Sequence, residues 1–192
     1  VTSAVRGDAL TNRTLALLHG VRILPSADAV DVAEYAAVVD ALYGTGLNHA
    51  IEGDAAILIH RLSDHPQIPV IAVDIPSGLD GTTGRALGAD VVRAAETVTF
   101  HRIKQGLLLR QGVEYTGKIT VQPILIRPGD DIDLGFDGLE TLSPAALAPL
   151  FARTPALHKG DCGRAVIFCG SRGMVGAAAF CANASIRAGA GL

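Results

Sequence analysis

The sequence predicts an α/β protein built on a parallel sheet, with a second α/β segment starting near its C-terminal end. Apolar runs of strand length alternate with stretches of helical periodicity. Two of those runs, residues 36–42 and 69–75, lead into glycine-containing loops that carry acids. After a stretch rich in Asp, Gly and Pro, the strand-then-helix pattern starts again.

Taken in order, Asp8 is placed to cap a helix that runs through Leu10, Leu17 and Leu18 and stops at Gly20. Residues 21–24 read as a short strand. Residues 36–42 form a buried strand with one acid, Asp40, and end at Gly44-Thr45-Gly46. Residues 54–64 read as a helix, because Ala55, Leu58, Ile59 and Leu62 fall on one face. Residues 69–75 form a second buried strand, broken by Pro76. Residues 97–101 are β-branched and aromatic, residues 118–126 alternate, and both read as strands. Residues 127–138 read as linker. Ser143 caps a short helix over 144–151, with Pro144 in its first turn. Residues 164–169 then form a strand, 170–176 a glycine-rich turn and 175–188 a helix. This divides the chain into a first domain, 1–126, a linker, 127–157, and the start of a second domain, 158–192.

Composition narrows the function. Of the 192 residues 49% are hydrophobic and 18% charged, which supports a packed core and excludes a disordered chain. A net charge of −3 leaves no electrostatic footprint for nucleic acid or an anionic membrane. No apolar run approaches the roughly 18 residues of a bilayer span. Cys162, Cys169 and Cys181 are an odd set without zinc spacing, so they read as buried free thiols in a reducing cytoplasm. Homo-oligomerisation is compatible with the sequence and unspecified by it. The chain starts at Val1 rather than Met and stops just after a helical pattern, so both ends read as cut.

In a parallel α/β sheet, ligands bind beyond the carboxyl ends of the strands. Asp40 and Asp74 both fall at such ends. An acid inside a buried strand costs several kcal/mol unless it is paired, protonated or cation-bound. Asp40 therefore either caps a neighbouring loop or meets a cation. Within seven residues, Asp74, Ser77 and Asp80 leave the second strand end, as a ligand site or as a self-satisfied Asx turn. His19, His49, His60, His65 and His101 show no ligand spacing with one another.

The run V-V-D-A-L-Y-G-T-G-L at residues 38–47, followed by V-D-I-P-S-G-L-D-G at 73–81, resembles the NAD(P)H-hydrate epimerase family (the YjeF N-terminal domain). Glu96 to Phe100, then Lys104-Gln105-Gly106-Leu107 and Gly117-Lys118-Ile119, fit the same pattern in the same order. The tail, from His158-Lys159-Gly160-Asp161 to Gly189-Ala190-Gly191-Leu192, is similar to the start of NAD(P)H-hydrate dehydratase. The resemblance implies a Rossmann-like sheet with helices on both faces, followed by the first strand and helix of a ribokinase-like domain. It implies a potassium site at Asp40 and Ser77, and a substrate loop of Gly44, Thr45, Gly46, Leu47, Asn48, His49 and Ala50. It makes Asp74 the substrate-contacting acid and acid–base group. The implied substrate is NAD(P)H hydrate, and the implied reaction interconverts its R and S forms. In the full-length protein this is coupled to ADP- or ATP-dependent dehydration.

Where the sequence departs from the family, it lacks the G-N-N-G-G-D-G loop that cradles phosphate and gives the ion an asparagine. Residues 1–20 resemble the stretch that comes after that loop in the family. The first βα unit is therefore expected to be missing, and epimerase activity of the chain by itself to be slight. No dehydratase catalytic residue is assignable. Two other classes compete: a non-catalytic Rossmann-like ligand- or protein-binding module, and a ribokinase-type small-molecule kinase. The kinase leaves residues 1–126 unexplained.

Overall fold

The computed structural model describes residues 5–127, 142–152, 154–158 and 160–191. They fall in two compact units, one within residues 1–137 and the other within 138–192. Residues 128–141 and 153 of the expected linker, together with Lys159 and Leu192, lie outside the described residues.

The first unit is a four-stranded, wholly parallel sheet in the order β1-β2-β3-β4, of the Rossmann-like α/β kind expected. β1 is Val38–Asp40, β2 Val70–Val73, β3 Glu96–Phe100 and β4 Lys118–Gln122. β1 pairs with β2 from Val38–Val70 to Asp40–Ala72, which sets Asp40 at the rim. It is shorter than the apolar run because Asp40 turns back on its own chain, accepting a hydrogen bond from Leu42 N at 3.3 Å. β2 stops where Asp74 takes a left-handed conformation, φ 70°.

α1, Asp8–Leu18, begins one position earlier than a cap at Asp8 requires: Gly7 is the N-cap and Asp8 is the first helical residue. There its charge suits the positive end of the helix. Gly20 stops the helix with φ 77°, as expected. Residues 21–24 are not a strand. Nothing among the described residues pairs with them, and a strand exists only through its ladder.

α2, Asp54–Ser63, crosses from β1 to β2 and buries Ile59 against Val70, Ile51 and Val92. A second cluster joins Ile75, Leu79, Val91 and Leu107. The buried residues Val70, Ala72, Thr97 and Thr99 share one sheet face, while Val39 on the other face is 63% exposed. Among the described residues that second face is only partly covered. The connection from β3 to β4 is made by single turns, including α3, Gly112–Tyr115.

Ile59 is 1% exposed, so Ile59→Ala is expected to cost about 2–5 kcal/mol through lost burial plus a cavity. Urea unfolding monitored by circular dichroism would measure it, and a loss below about 1 kcal/mol would contradict this packing.

In the second unit, α4 is Pro144–Leu147, capped as expected by Ser143, whose Oγ accepts from Ala146 N at 3.1 Å. α5 is Val175–Ala188 and ends on Gly189 in the left-handed region. The strand expected at residues 164–169 is not formed. No described segment pairs with it, and Val166 and Phe168 are exposed. The cysteines are free, as expected, but not buried: Cys169 and Cys181 are exposed and Cys162 half-buried. Cys169 and Cys181 sit on this unladdered stretch and its helix, where little packs over them.

Candidate functional site

Two polar clusters form at the carboxyl end of the sheet, one on each side of the β2 tip. The first joins Asp40 to Ser77. Asp40 is 3% exposed and Ser77 1%. Ser77 N donates to Asp40 Oδ2 at 2.8 Å and Ser77 Oγ to Oδ1 at 2.7 Å. The same Oγ accepts from Tyr43 N at 3.0 Å and lies 3.3 Å from Tyr43 O. Asp40 therefore does cap a neighbouring loop, tying the β1 exit to the β2 exit. Its hydrogen bonds come from neutral donors, and among the described residues it has no cationic partner.

Those oxygens bear on the cation expected here. Among the described residues no three His, Cys, Asp or Glu side chains gather as a metal site. Any ion at this rim would rest on one carboxylate with hydroxyl and carbonyl oxygens, a hard set that suits an alkali cation better than a transition metal.

The second cluster is built around Asp74. Its positive φ turns the side chain toward β3. Left-handed backbone in a residue other than glycine costs of order 1 kcal/mol and concentrates at functional sites, with Asp among its more tolerant occupants. Asp74 Oδ1 accepts from Phe100 N at 3.1 Å, Thr99 Oγ1 at 3.3 Å and Lys104 Nζ at 2.5 Å. No hydrogen bond from a described residue reaches Oδ2. Lys104 Nζ also donates to Thr99 Oγ1 at 3.1 Å and Phe100 O at 2.9 Å. Burial pushes the Asp74 carboxyl up, but the Lys104 hydrogen bond, the Phe100 N–H, the lysine charge and Thr99 together hold it below its ordinary value. Asp74 is thus set as a carboxylate.

The sequence resemblance singled out Lys104 without a role; the structure brings it to Asp74 across thirty residues. Backbone packing seats it there. Gly106 lies where a Cβ would be 2.3 Å from Asp80 O, and Gly106 N donates to Gly81 O at 2.9 Å. The connection carrying Lys104 is thereby laid peptide on peptide against the β2 loop. Asp80 itself serves that loop: its Oδ1 accepts from Thr82 N, Thr83 N and Thr83 Oγ1. The Asx-turn reading is right for Asp80, and wrong for Asp74 and Ser77.

The loop of residues 44–50 runs beside the second cluster. A Cβ on Gly81 would lie 3.5 Å from Thr45 Cγ2 and 4.0 Å from Lys104 Cγ, so both side chains rest against that glycine. Thr45, Gly46, Asn48 and His49 are exposed, and no atom lies within 4 Å of a Cβ built on Gly44 or Gly46. Nothing in the described chain demands glycine at either place. Leu47 differs, because it is partly buried and packs on the Ile51–Ile59 core. His49 Nδ1 is 2.8 Å from Ala50 O. Asp40 and Ser77 are in contact, and the hydrogen bonds of Asp74 run instead to Thr99, Phe100 and Lys104. Cavities of about 320 and 530 Å³ beside β1 are lined mainly by apolar residues such as Val30, Leu42 and Leu58. Neither is lined by Asp74, Ser77 or Lys104.

In the second unit, His158 N donates to Asp161 Oδ2 at 2.9 Å and Gly160 N to His158 Nδ1 at 3.0 Å, a local turn.

The family described as YjeF-related protein N-terminus matches residues 3–106. A bifunctional NAD(P)H-hydrate repair enzyme Nnr of Thermofilum pendens is 40% identical over 154 residues, covering 80% of this chain and 28% of that protein. The Escherichia coli protein of that name is 41% identical over 160 residues, 81% of this chain and 30% of its own. The one from Moorella thermoacetica is 36% identical over 197 residues, 98% of this chain and 36% of its own. The chain thus spans about a third of the length of these relatives. With the family match covering more than half of its residues, the chain belongs to the YjeF-related N-terminal family.

Proposed function

We propose that this chain carries the acid–base side and the substrate loop of an NAD(P)H-hydrate epimerase. In the full-length protein it interconverts the R and S forms of the hydrated nicotinamide. The observation that carries the reading is Asp74: a strained, half-buried carboxylate held through one oxygen, beside an exposed glycine loop. Such a group can exchange a proton with an oxygen leaving or joining the ring carbon. Gly44, Thr45, Gly46, Asn48, His49 and Ala50, with the backbone of Leu47, form the surface that takes the dinucleotide. Open space over the two glycines lets backbone N–H groups approach its phosphates.

Potassium belongs at Asp40 and Ser77, with the Tyr43 carbonyl beside them. When bound, it supplies the positive charge that a buried, cation-free Asp40 lacks. The tail from His158 onward belongs to a dehydratase that uses ADP or ATP and returns the S form to NAD(P)H; the word bifunctional in the relatives' names supports a second activity without specifying it. The free cysteines support a reducing, cytoplasmic setting. Among the described residues no helix is long and apolar enough to cross a membrane.

The test supplies one purified epimer of NADH hydrate to the full-length protein in potassium or sodium buffer, and follows the other epimer by chromatography. Equilibration is expected to outpace the buffer control and to run faster with potassium. An unchanged epimer ratio relative to buffer would sink the epimerase reading. Equal rates in both salts would sink the Asp40–Ser77 ion site alone.

A further inference from the structure

We propose that Lys104 is the proton donor of this site, paired with Asp74 Oδ2 as proton acceptor, and that their mutual hydrogen bond returns the proton between turnovers. The inference rests on the epimerase reading and divides between two residues the work that reading assigned to Asp74.

Asp74 is held as a carboxylate by Lys104, Phe100 N and Thr99, so it is poorly suited to protonate a departing hydroxyl. A carboxylate with one unbonded oxygen is suited to take a proton from water. The group in contact that has protons to give is Lys104. Its ammonium offers three N–H bonds, to Asp74 Oδ1, Thr99 Oγ1 and Phe100 O, and its side chain is 23% exposed. One N–H can turn from a neutral acceptor, Thr99 or Phe100, to a substrate oxygen without breaking the ion pair. Lys104 also rests against Gly81 next to Thr45, on the side of the exposed loop.

The bonds balance. As the bond from the ring carbon to its hydroxyl oxygen breaks, the ring nitrogen's lone pair forms the carbon–nitrogen double bond. The departing oxygen keeps the bond's electron pair, takes a proton from Lys104 and leaves as water, and Lys104 becomes an amine. Water then adds to the other face of that carbon while the double-bond pair returns to nitrogen, and its surplus proton passes to Asp74 Oδ2. The neutral Asp74 carboxyl then turns to bring its protonated oxygen to the Lys104 amine, in the place where Oδ1 lies 2.5 Å from Nζ, and gives up the proton there, restoring both groups. Water is the only co-reactant.

The other ionisable side chains on the surrounding elements include His49 on the neighbouring loop, His101 and Arg102 on the lysine's own connection, Asp80 and Arg85 after β2, and Asp40 and Tyr43 beyond the β1 strand. The Asp80 carboxylate serves its own loop and the Asp40 carboxylate bonds to Ser77 and Leu42 N. The donor role predicts that the fall in rate at high pH depends on Lys104.

Epimerisation by the full-length protein would be measured against pH for wild type, Lys104→Arg and Lys104→Met, with thermal unfolding of each. Arginine keeps the positive charge beside Asp74 but does not release a proton in this pH range. Both variants are expected to lose about 100-fold or more in kcat and to lose the alkaline limb of the profile. A Lys104→Arg variant within about threefold of wild type would overturn the donor role, leaving Lys104 as a charge that positions Asp74. Retention of the alkaline limb in a slowed but folded Lys104→Arg would overturn it too. Should Lys104→Met not fold, Lys104→Arg decides by itself. Wild type without epimerase activity would instead defeat the functional reading, a result distinct from any of these.

Discussion

Asp74→Asn in the full-length protein is expected to slow epimerisation by about 10²- to 10⁴-fold near neutral pH, the usual range for deleting a positioned acid–base group. The fold should survive. Asparagine is among the few residues that accept φ near 70°, so the backbone at the β2 exit need not move. Its amide oxygen can go on accepting from Phe100 N and Thr99 Oγ1. The substitution removes the charge facing Lys104 and the proton-accepting oxygen. Both side chains of that ion pair are partly exposed, so the stability loss should stay near 1 kcal/mol or less. The loss of rate should appear in kcat, since the substrate loop is untouched. A variant with wild-type kcat would remove Asp74 from the chemistry, whatever its effect on the melting temperature.

Gly112→Ala is expected to be the most damaging single-methyl change in the sheet unit. A Cβ there would lie 1.8 Å from Gly106 O and 2.9 Å from Gly106 C, and both atoms are backbone. No rotamer relieves such an overlap. The chain must separate along 106–112, breaking the bond from Gly112 N to Gly84 O at 3.1 Å. The expected loss is about 3 kcal/mol or more, at the upper end for overpacking. Because Gly106 stands two residues after Lys104, the molecules that still fold should also be slow. Gly46→Ala is the matched control, with nothing within 4 Å and no left-handed φ. Its stability should stay within about 0.5 kcal/mol of wild type, while its KM rises if ligand backbone contact occurs at that glycine. Differential scanning calorimetry on the pair would read the contrast, and equal melting temperatures would refute it.

Much of the sheet unit was legible because its signals are local. The helical spacing of Ala55, Leu58, Ile59 and Leu62 put α2 at Asp54–Ser63, one residue shorter than the spacing predicts. Asp40 and Asp74 could be placed at strand ends from the apolar runs before them. The direct contact of Asp40 with Ser77 agrees with two adjacent strand tips. The features that could not be read depend on distant parts of the chain. The side to which Asp74 turns is decided by one dihedral angle and by Lys104, thirty residues on. Lys104 is seated by the backbone approach of Gly106 to Gly81, of which no periodicity speaks. Residues 21–24 and 164–169 have strand composition but no ladder partner among the described residues, and composition cannot supply one. The exposure of Cys169 and Cys181 has its origin in the same unpaired stretch.

The seating of Lys104 also bears on how this protein can diversify. The arm that carries it is registered by peptide groups stacked on peptide groups, Gly106 on Asp80 and Gly81, Gly112 on Gly106. No trimmed or enlarged side chain can adjust such a joint by degrees. The neighbouring Thr45, Asn48 and His49 are exposed, and substitution there leaves the joint intact. A mutational library over these three positions should therefore yield altered ligand preference at nearly constant melting temperature, whereas one over the glycines should yield mostly insoluble protein.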